Sequence, residues 1–161
     1  MKKYELVETD TIGKLKRIRA LRSFGNVAKG DLGGYIENET NLSHNDICWV
    51  LDNAQVYGNA QVLDNARVFG NAWVYGDAWV FGNAQVFGNM KVTQNVLYMF
   101  LTRDNMTASD SHIAIGCELH TIQHWLEHYR EIGKENDYTE DEISFYGWAI
   151  YILAKRRGII E

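Results

Sequence analysis

Proline is absent from this 161-residue chain, and cysteine occurs only twice, at Cys48 and Cys117. Two cysteines do not make a disulfide framework in a chain of this length. No apolar run is long enough to cross a membrane, and the first residues lack the apolar core of a signal peptide. The sequence therefore predicts a cytoplasmic protein without a membrane partner.

Positive charge is also scarce. Lys and Arg total 16 against 21 Asp and Glu, which gives a formal net charge of −5. Such a balance disfavours a nucleic-acid partner, because phosphate backbones attract basic surfaces. Hydrophobic residues make up 46% of the chain and charged residues 23%, which excludes a disordered tail.

A six-residue repeat dominates the middle of the chain. Valine recurs at every sixth position from Val50 to Val92, and a small or apolar residue precedes each valine by two. Ala-x-Val is a short strand with both apolar side chains on one face, because side chains alternate along a strand. The Gly-Asn and Asp-Asn pairs between strands predict turns, since glycine and asparagine tolerate positive φ. Strands and turns without a crossover predict a coiled chain with a narrow interior. Cys48 takes an alanine position and is predicted to be a buried thiol.

The repeats from Val50 to Val92 resemble the hexapeptide-repeat family. The resemblance implies a left-handed parallel β-helix with three hexapeptides per coil, and its handedness follows from the resemblance alone. The preceding segments are also similar to the leader of small hexapeptide-repeat proteins of bacteriophages and prophages; they are Arg17–Val27, Lys29–Glu37, Asn41–Ser43 and Cys48–Val50. This second likeness implies a phage setting rather than a particular activity.

The predicted fold is mainly β, in three segments. Residues 1–31 are expected to form N-terminal strands, residues 32–96 a β-helix of about three to four coils, and residues 97–161 an α+β cap. In the cap, strands at 97–101 and 112–117 are expected to form a hairpin around a polar loop. An amphipathic helix over 121–133 is predicted to stop at Gly133. A capping box at Thr139 and Glu142 predicts a second helix that ends at Gly158.

The residues on either side of each valine point outward and fall on three predicted faces. The first face carries Trp49, Arg67 and Gln85 with Leu51, Phe69 and Phe87; the second carries Gln55, Trp73 and Lys91 with Tyr57, Tyr75 and Thr93; the third carries Gln61, Trp79 and Leu97 with Leu63, Phe81 and Met99. The first and third faces are too apolar to stay exposed, so we expect the cap or a second copy of the chain to cover them. The resemblance implies a homo-oligomer, most commonly a trimer.

The second face is amphipathic and predicts a wall for a planar, anionic ligand, although an aromatic ladder could equally pack against a partner chain. Arginine in the N-terminal segment offers donors to phosphate, or else protects an edge strand. We expect pockets between subunits in which aromatic rings stack a base and cations meet phosphates. The predicted ligand-binding residues are Arg17, Arg19, Tyr57, Arg67, Trp73, Tyr75 and Lys91.

Motifs for catalysis or metal binding are weak. Cys117, His120, His124 and His128 have metal-ligand spacing, but the buried side of the predicted helix turns the last two histidines away, so a solvated face is predicted rather than a metal site. His44 is the only histidine near the coils that could act as the base of a hexapeptide acyltransferase.

We therefore predict a non-enzymatic, homo-oligomeric phage protein without a cofactor, which binds and sequesters a small anionic ligand. A nucleotide signal of bacterial immunity is the expected ligand. A protein-binding module that inhibits a host protein is the alternative, and a hexapeptide acyltransferase is the third hypothesis.

Overall fold

The computed structural model describes residues 1–161. It contains fifteen strands and two α-helices. In chain order the elements are β1 Tyr4–Ile12, β2 Leu15–Ala20, β3 Leu32–Ile36, β4 Trp49–Val50, β5 Gln55–Val56, β6 Gln61–Val62, β7 Arg67–Val68, β8 Trp73–Val74, β9 Trp79–Val80, β10 Gln85–Val86, β11 Lys91–Val92, β12 Leu97–Met99, β13 Met106–Ala108, β14 His112–Ile115, β15 Glu118–Thr121, α1 Ile122–Glu135 and α2 Glu140–Arg156.

The repeats form a β-solenoid of about three turns, as their period predicts. Each two-residue strand pairs in parallel with a strand one coil further on, so that Val50 lies beside Val68 and Val68 beside Val86. Backbone amides donate across the coils, for example from Gln55 N to Ala72 O at 3.0 Å. The repeated alanine and valine side chains fill the interior and have no exposed surface.

The turns use glycine at positive φ, as predicted, but they use aspartate where we predicted asparagine. Positive φ falls on the glycine or aspartate of each turn and not on the asparagine that follows it. Where aspartate takes this position, its carboxylate accepts from an amide one coil further on: Asp52 Oδ2 from Gly70 N at 3.0 Å and Asp64 Oδ2 from Gly82 N at 2.9 Å. This bond compensates for the left-handed backbone that aspartate adopts less readily than glycine.

The N-terminal segment extends the solenoid. Strands β1 and β2 form an antiparallel hairpin that pairs with β3, which gives a six-stranded sheet in the order β1-β2-β3-β5-β8-β11. The basic segment is therefore a strand, as predicted. Trp49, which we expected on an outer face, is only 1% exposed, because Tyr4 and Phe24 pack edge-on against its ring.

The cap contains a four-stranded antiparallel sheet, β12-β13-β14-β15, instead of the predicted hairpin. The predicted polar loop contains β13, whose Met106 and Ala108 are fully buried. Three residues are too few for an alternation of apolar and polar side chains to identify a strand in the sequence. Strand β13 forms because it pairs with β12 on one side and β14 on the other. Gly116, at φ +57, opens the tight turn between β14 and β15.

Both predicted helices are present. Helix α1 continues through Gly133 to Glu135, so the predicted stop at this glycine is wrong. Gly133 is instead a close-contact position, since a Cβ there would lie 2.7 Å from Ile143 Cγ1 of α2. The Thr139–Glu142 capping box opens α2 as predicted, and Gly158, at φ +68, follows its end. Neither helix is both long and apolar enough to cross a membrane.

Two hydrophobic clusters form the interior. The first spans the N-terminal strands and the solenoid, and the second joins the cap sheet to the two helices. Polar contacts link them: Arg157 donates to Gln94 Oε1 at 2.9 Å, and Asp110 Oδ2 accepts from the Thr93 amide at 2.8 Å.

Candidate functional site

Strand register places five outward residues in one row across the six-stranded sheet. The paired positions run, in order, through Arg17, Tyr35, Gln55, Trp73 and Lys91. Three of them belong to the predicted ligand-binding set. We call this row, together with the neighbouring Tyr57 and Tyr75, the aromatic face.

Trp73 and Lys91 form the open part of the aromatic face. The Lys91 ammonium lies over the indole ring of Trp73, 5.1 Å from its centroid. Trp73 is 39% exposed, Lys91 is exposed, and no carboxylate lies within ion-pair distance of the ammonium. A cation beside an accessible aromatic surface can meet the charge and the ring of one planar anion at the same time.

Tyr57 and Tyr75 form a stacked pair beside this row. Their ring centroids are 5.0 Å apart and their planes differ by 7°. Burial of the phenol, and then its neighbour Tyr75, raise the pKa of Tyr57. The two rings therefore form one flat aromatic surface.

Carboxylates flank the tyrosine pair at both ends. Glu37 Oε2 accepts from the Gly58 amide at 2.8 Å, and Asp110 Oδ2 accepts from the hydroxyl of Thr93 at 2.6 Å. Each end also carries a cation, because Asp110 lies 4.0 Å from the Arg157 guanidinium and Lys14 lines the surface pocket shared by Glu37 and Tyr57. Lys91 is the cation that lies over Trp73.

The N-terminal arginines are already engaged with carboxylates. Arg17 Nε lies 2.8 Å from Asp10 Oδ2, and its guanidinium covers the ring of Tyr35 at 4.4 Å. Arg19 makes an ion pair with Glu5. A phosphate at either arginine would have to compete with an internal carboxylate.

Arg67 lies on a different sheet from the other six predicted residues, between Trp49 and Gln85. It borders a cavity of about 90 Å³ that is also lined by Gly25, Asn26, Val27 and Ile47. Within one chain the structure therefore does not bring Arg67 to the aromatic face. Only a boundary between subunits could combine them, as the predicted pockets require.

Sequence reasoning missed Tyr35. Its hydroxyl accepts from Arg17 Nη2 at 2.6 Å and donates to Asp10 Oδ1 at 3.1 Å, which fixes the start of the row. The signal was present, because Ile36 occupies the position of a repeat valine and Tyr35 therefore occupies an outward position. The longer connection from Ile36 to Val50 obscured the register.

Part of the third face remains uncovered. Trp79 is 46% exposed and Phe81 is 42% exposed, whereas Leu63 and Leu97 are half-buried. On the first face, the rings of Phe69 and Phe87 stack at 5.2 Å and are half-buried.

Four histidines lie in two places, with His44 beside the N-terminal strand and the other three in a line at the start of α1. His44 accepts from the Lys3 amide through Nδ1 at 3.2 Å and stacks on Tyr4 at 4.3 Å, so the N-terminal strand holds its ring. The rings of His120, His124 and His128 lie in a line at spacings of 4.6 and 4.5 Å. No group of three or more potential ligands is arranged to hold a metal ion.

The chain is thus a β-solenoid protein with an outward aromatic and cationic face and an α+β cap. No protein-family model matches the chain, and no curated protein matches its sequence. The class therefore rests on the coil geometry.

Proposed function

We propose that this protein is a non-enzymatic binder that sequesters a small, planar anion of the nucleotide kind. The observation that carries the proposal is the Lys91 ammonium lying over Trp73, beside the stacked pair of Tyr57 and Tyr75. This surface offers exposed rings for a base and one unpaired cation for a phosphate.

Our proposal includes the finer identity that the repeats imply. It takes the chain as a left-handed, hexapeptide-repeat protein of phage or prophage origin, which acts in the cytoplasm of the bacterial host on a nucleotide signal of immunity. Trp79 and Phe81 are exposed on a coil face, which supports self-association, with a trimer as the proposed state. In such an oligomer, Arg67 of one subunit would face the aromatic face of its neighbour.

The binding mode follows from the charges. The base stacks on Trp73 and on the tyrosine pair, and the phosphate meets the Lys91 ammonium that lies over Trp73. A second phosphate would reach Arg17 only by displacing Asp10. Lys91 is therefore expected to contribute more to affinity than either N-terminal arginine.

The test combines native mass spectrometry of the protein purified from its host cells with titration of the ligand-free protein. Mononucleotides and linear and cyclic dinucleotides are the probes. Trp73→Leu and Lys91→Gln are each expected to raise the dissociation constant about tenfold, the effect of losing one stacking or charged contact.

Matched controls are available on the cap. Phe100→Leu and Lys134→Gln remove an exposed aromatic ring and an exposed lysine from the cap. The controls should bind as tightly as the unmodified protein. Equal losses in the controls, or no binding of any probe together with a ligand-free mass from the host, would contradict the proposal.

A protein-binding module is the second candidate, favoured by the exposed Trp79 and Phe81. Protein interfaces depend on buried aromatic anchors more than on peripheral cations. If this candidate is correct, Trp73→Leu will weaken capture of the partner far more than Lys91→Gln. For the acyltransferase hypothesis, the contacts of His44 give no support, and we expect saturating acetyl-coenzyme A to leave the melting temperature unchanged.

A further inference from the structure

The outer side of α2 carries an apolar stripe that is about half exposed to solvent. Phe145, Trp148, Tyr151 and Ile152 are 41%, 57%, 46% and 46% exposed. The opposite side of the helix is buried against the cap, through Ile143, Tyr146, Ile150 and Leu153. Four large apolar side chains on one side of a single helix are more than a solvated helix needs.

The two ends of the stripe carry opposite charges. Asp141 and Lys155 are both exposed, and neither makes an ion pair or a side-chain hydrogen bond within the chain. Spacings of three and four residues along α2 bring both charges onto the same side as Trp148.

The charges and aromatic rings of the stripe are symmetrical about Trp148, whereas the position that matches Ile152 is Ser144. Asp141 and Lys155 each lie seven residues from it, and Phe145 and Tyr151 each lie three residues from it. An antiparallel pair of such helices, related by a two-fold axis at Trp148, places each Asp141 beside the Lys155 of the other copy. The same axis brings each Phe145 to a Tyr151 and the two tryptophans to each other. The helix dipoles are then opposed, which also favours this direction.

We propose that α2 is a contact between two copies of this chain, packed antiparallel about Trp148. A second copy is the partner that this charge pattern fits. In a two-fold interface the same surface meets itself in reverse, so the acidic end of one stripe lies against the basic end of the other. The contact is independent of the aromatic face and does not rest on the proposed function.

A charge exchange tests this pairing. Asp141→Lys and Lys155→Asp each place like charges together twice in the pair, and each is expected to raise the dimer dissociation constant about tenfold. The double variant D141K/K155D restores opposite charges across the axis and should return the constant to within about threefold of the unmodified protein. Sedimentation equilibrium over a concentration series measures these constants, and Trp148→Ala should abolish the step that doubles the mass.

Lys29→Asp is the matched control, since it reverses the charge of an exposed lysine in the N-terminal segment that makes no ion pair within the chain. It should leave the doubling step intact. Circular dichroism melting verifies that all variants fold. The helix dipole opposes the double variant, so its recovery cannot come from a more stable helix. A double variant no better than the single ones, or a mass that Trp148→Ala does not change, would overturn the proposal.

Disulfide cross-linking gives a second test, because it detects the contact between two copies without measurement of a dissociation constant. In a Cys117→Ser background, the double variant Asp141→Cys/Lys155→Cys keeps Trp148 and should form a disulfide-linked dimer when diamide is the oxidant, because the two positions meet across the axis. Gln123→Cys, exposed on α1, is the control and should remain monomeric under the same conditions. Equal cross-linking of both variants would count against the pairing.

Discussion

The ammonium nitrogen of Lys3 lies 3.3 Å from the sulfur of Cys48, and both side chains are closed to solvent. Lys3 Nζ also donates to the carbonyl of Cys48 at 2.8 Å and to that of Asn45 at 3.1 Å. Burial lowers the pKa of Lys3 and raises the pKa of Cys48, so the surroundings favour the uncharged form of each group. The first strand is thereby anchored to the first coil through its backbone carbonyls.

The two cysteines should differ sharply in reactivity. Cys48 is buried and its raised pKa keeps the thiol protonated, whereas Cys117 is exposed in the turn between β14 and β15. At pH 7 a disulfide reagent such as Ellman's should titrate one thiol per folded chain and two in guanidinium chloride. Cys117→Ser should reduce the folded count to zero. Rapid reaction of two thiols in the folded protein would show that the reagent reaches Cys48 beside Lys3, against this prediction.

Asn41→Asp should destabilise the protein in a pH-dependent way. The buried amide of Asn41 donates to Gly58 O at 3.0 Å and to Ala60 O at 2.8 Å, so a carboxylate there would face two carbonyl oxygens. The pKa of the new carboxyl would be higher in the folded than in the unfolded chain. We expect a loss of about 3 kcal/mol in unfolding free energy at pH 7, which diminishes as the pH falls toward 4.

Urea titrations at both pH values measure this loss. Asn53→Asp is the control, because Asn53 is exposed and Asp77 occupies the equivalent position of a later repeat. An equal loss in both variants, or one independent of pH, would contradict the role of Asn41.

Gly34→Ala should show that the first coil requires a bare backbone at this position. A Cβ there would lie 2.6 Å from Ala54 O and 2.7 Å from Val50 Cγ1, so the coils would have to separate. The expected loss is about 2 kcal/mol in unfolding free energy. Gly13→Ala has open space around the new methyl group and only an unfavourable φ of +60, so it should cost about 1 kcal/mol. The reverse order in urea unfolding would disprove the close approach.

The capping box should contribute to the acid sensitivity of the protein. Hydrogen bonds from the Thr139 backbone amide and hydroxyl hold the pKa of Glu142 below its ordinary value. A lowered folded-state pKa gives stability that is present above the unfolded-state value near 4.5 and is lost as the pH falls. Glu142→Gln should therefore melt at a lower temperature than the unmodified protein at pH 7, with a smaller difference at pH 3. Glu135→Gln, which removes a carboxylate without hydrogen bonds, should show no such trend.

The sequence alone determined the solenoid. A strict period of six, with alanine and valine facing inward, leaves the chain one efficient way to bury these side chains, which is to coil. Cys48 followed the same rule, since its position in the repeat made it a buried thiol as predicted. The capping box of α2 was equally predictable from the sequence, because its hydrogen bonds join residues only three positions apart.

Only the tertiary structure decided the rest. Trp49 occupies an outward position of the repeat and is nevertheless buried, because distant Tyr4 and Phe24 cover it. Strand β13 is stabilised by hydrogen bonds to the strands on both sides of it, and no local pattern identifies its three residues as a strand. The periodicity placed Gln55, Trp73 and Lys91 on one face, but Arg17 and Tyr35 join that row only because β2 and β3 pair in register with the solenoid, which local periodicity does not encode.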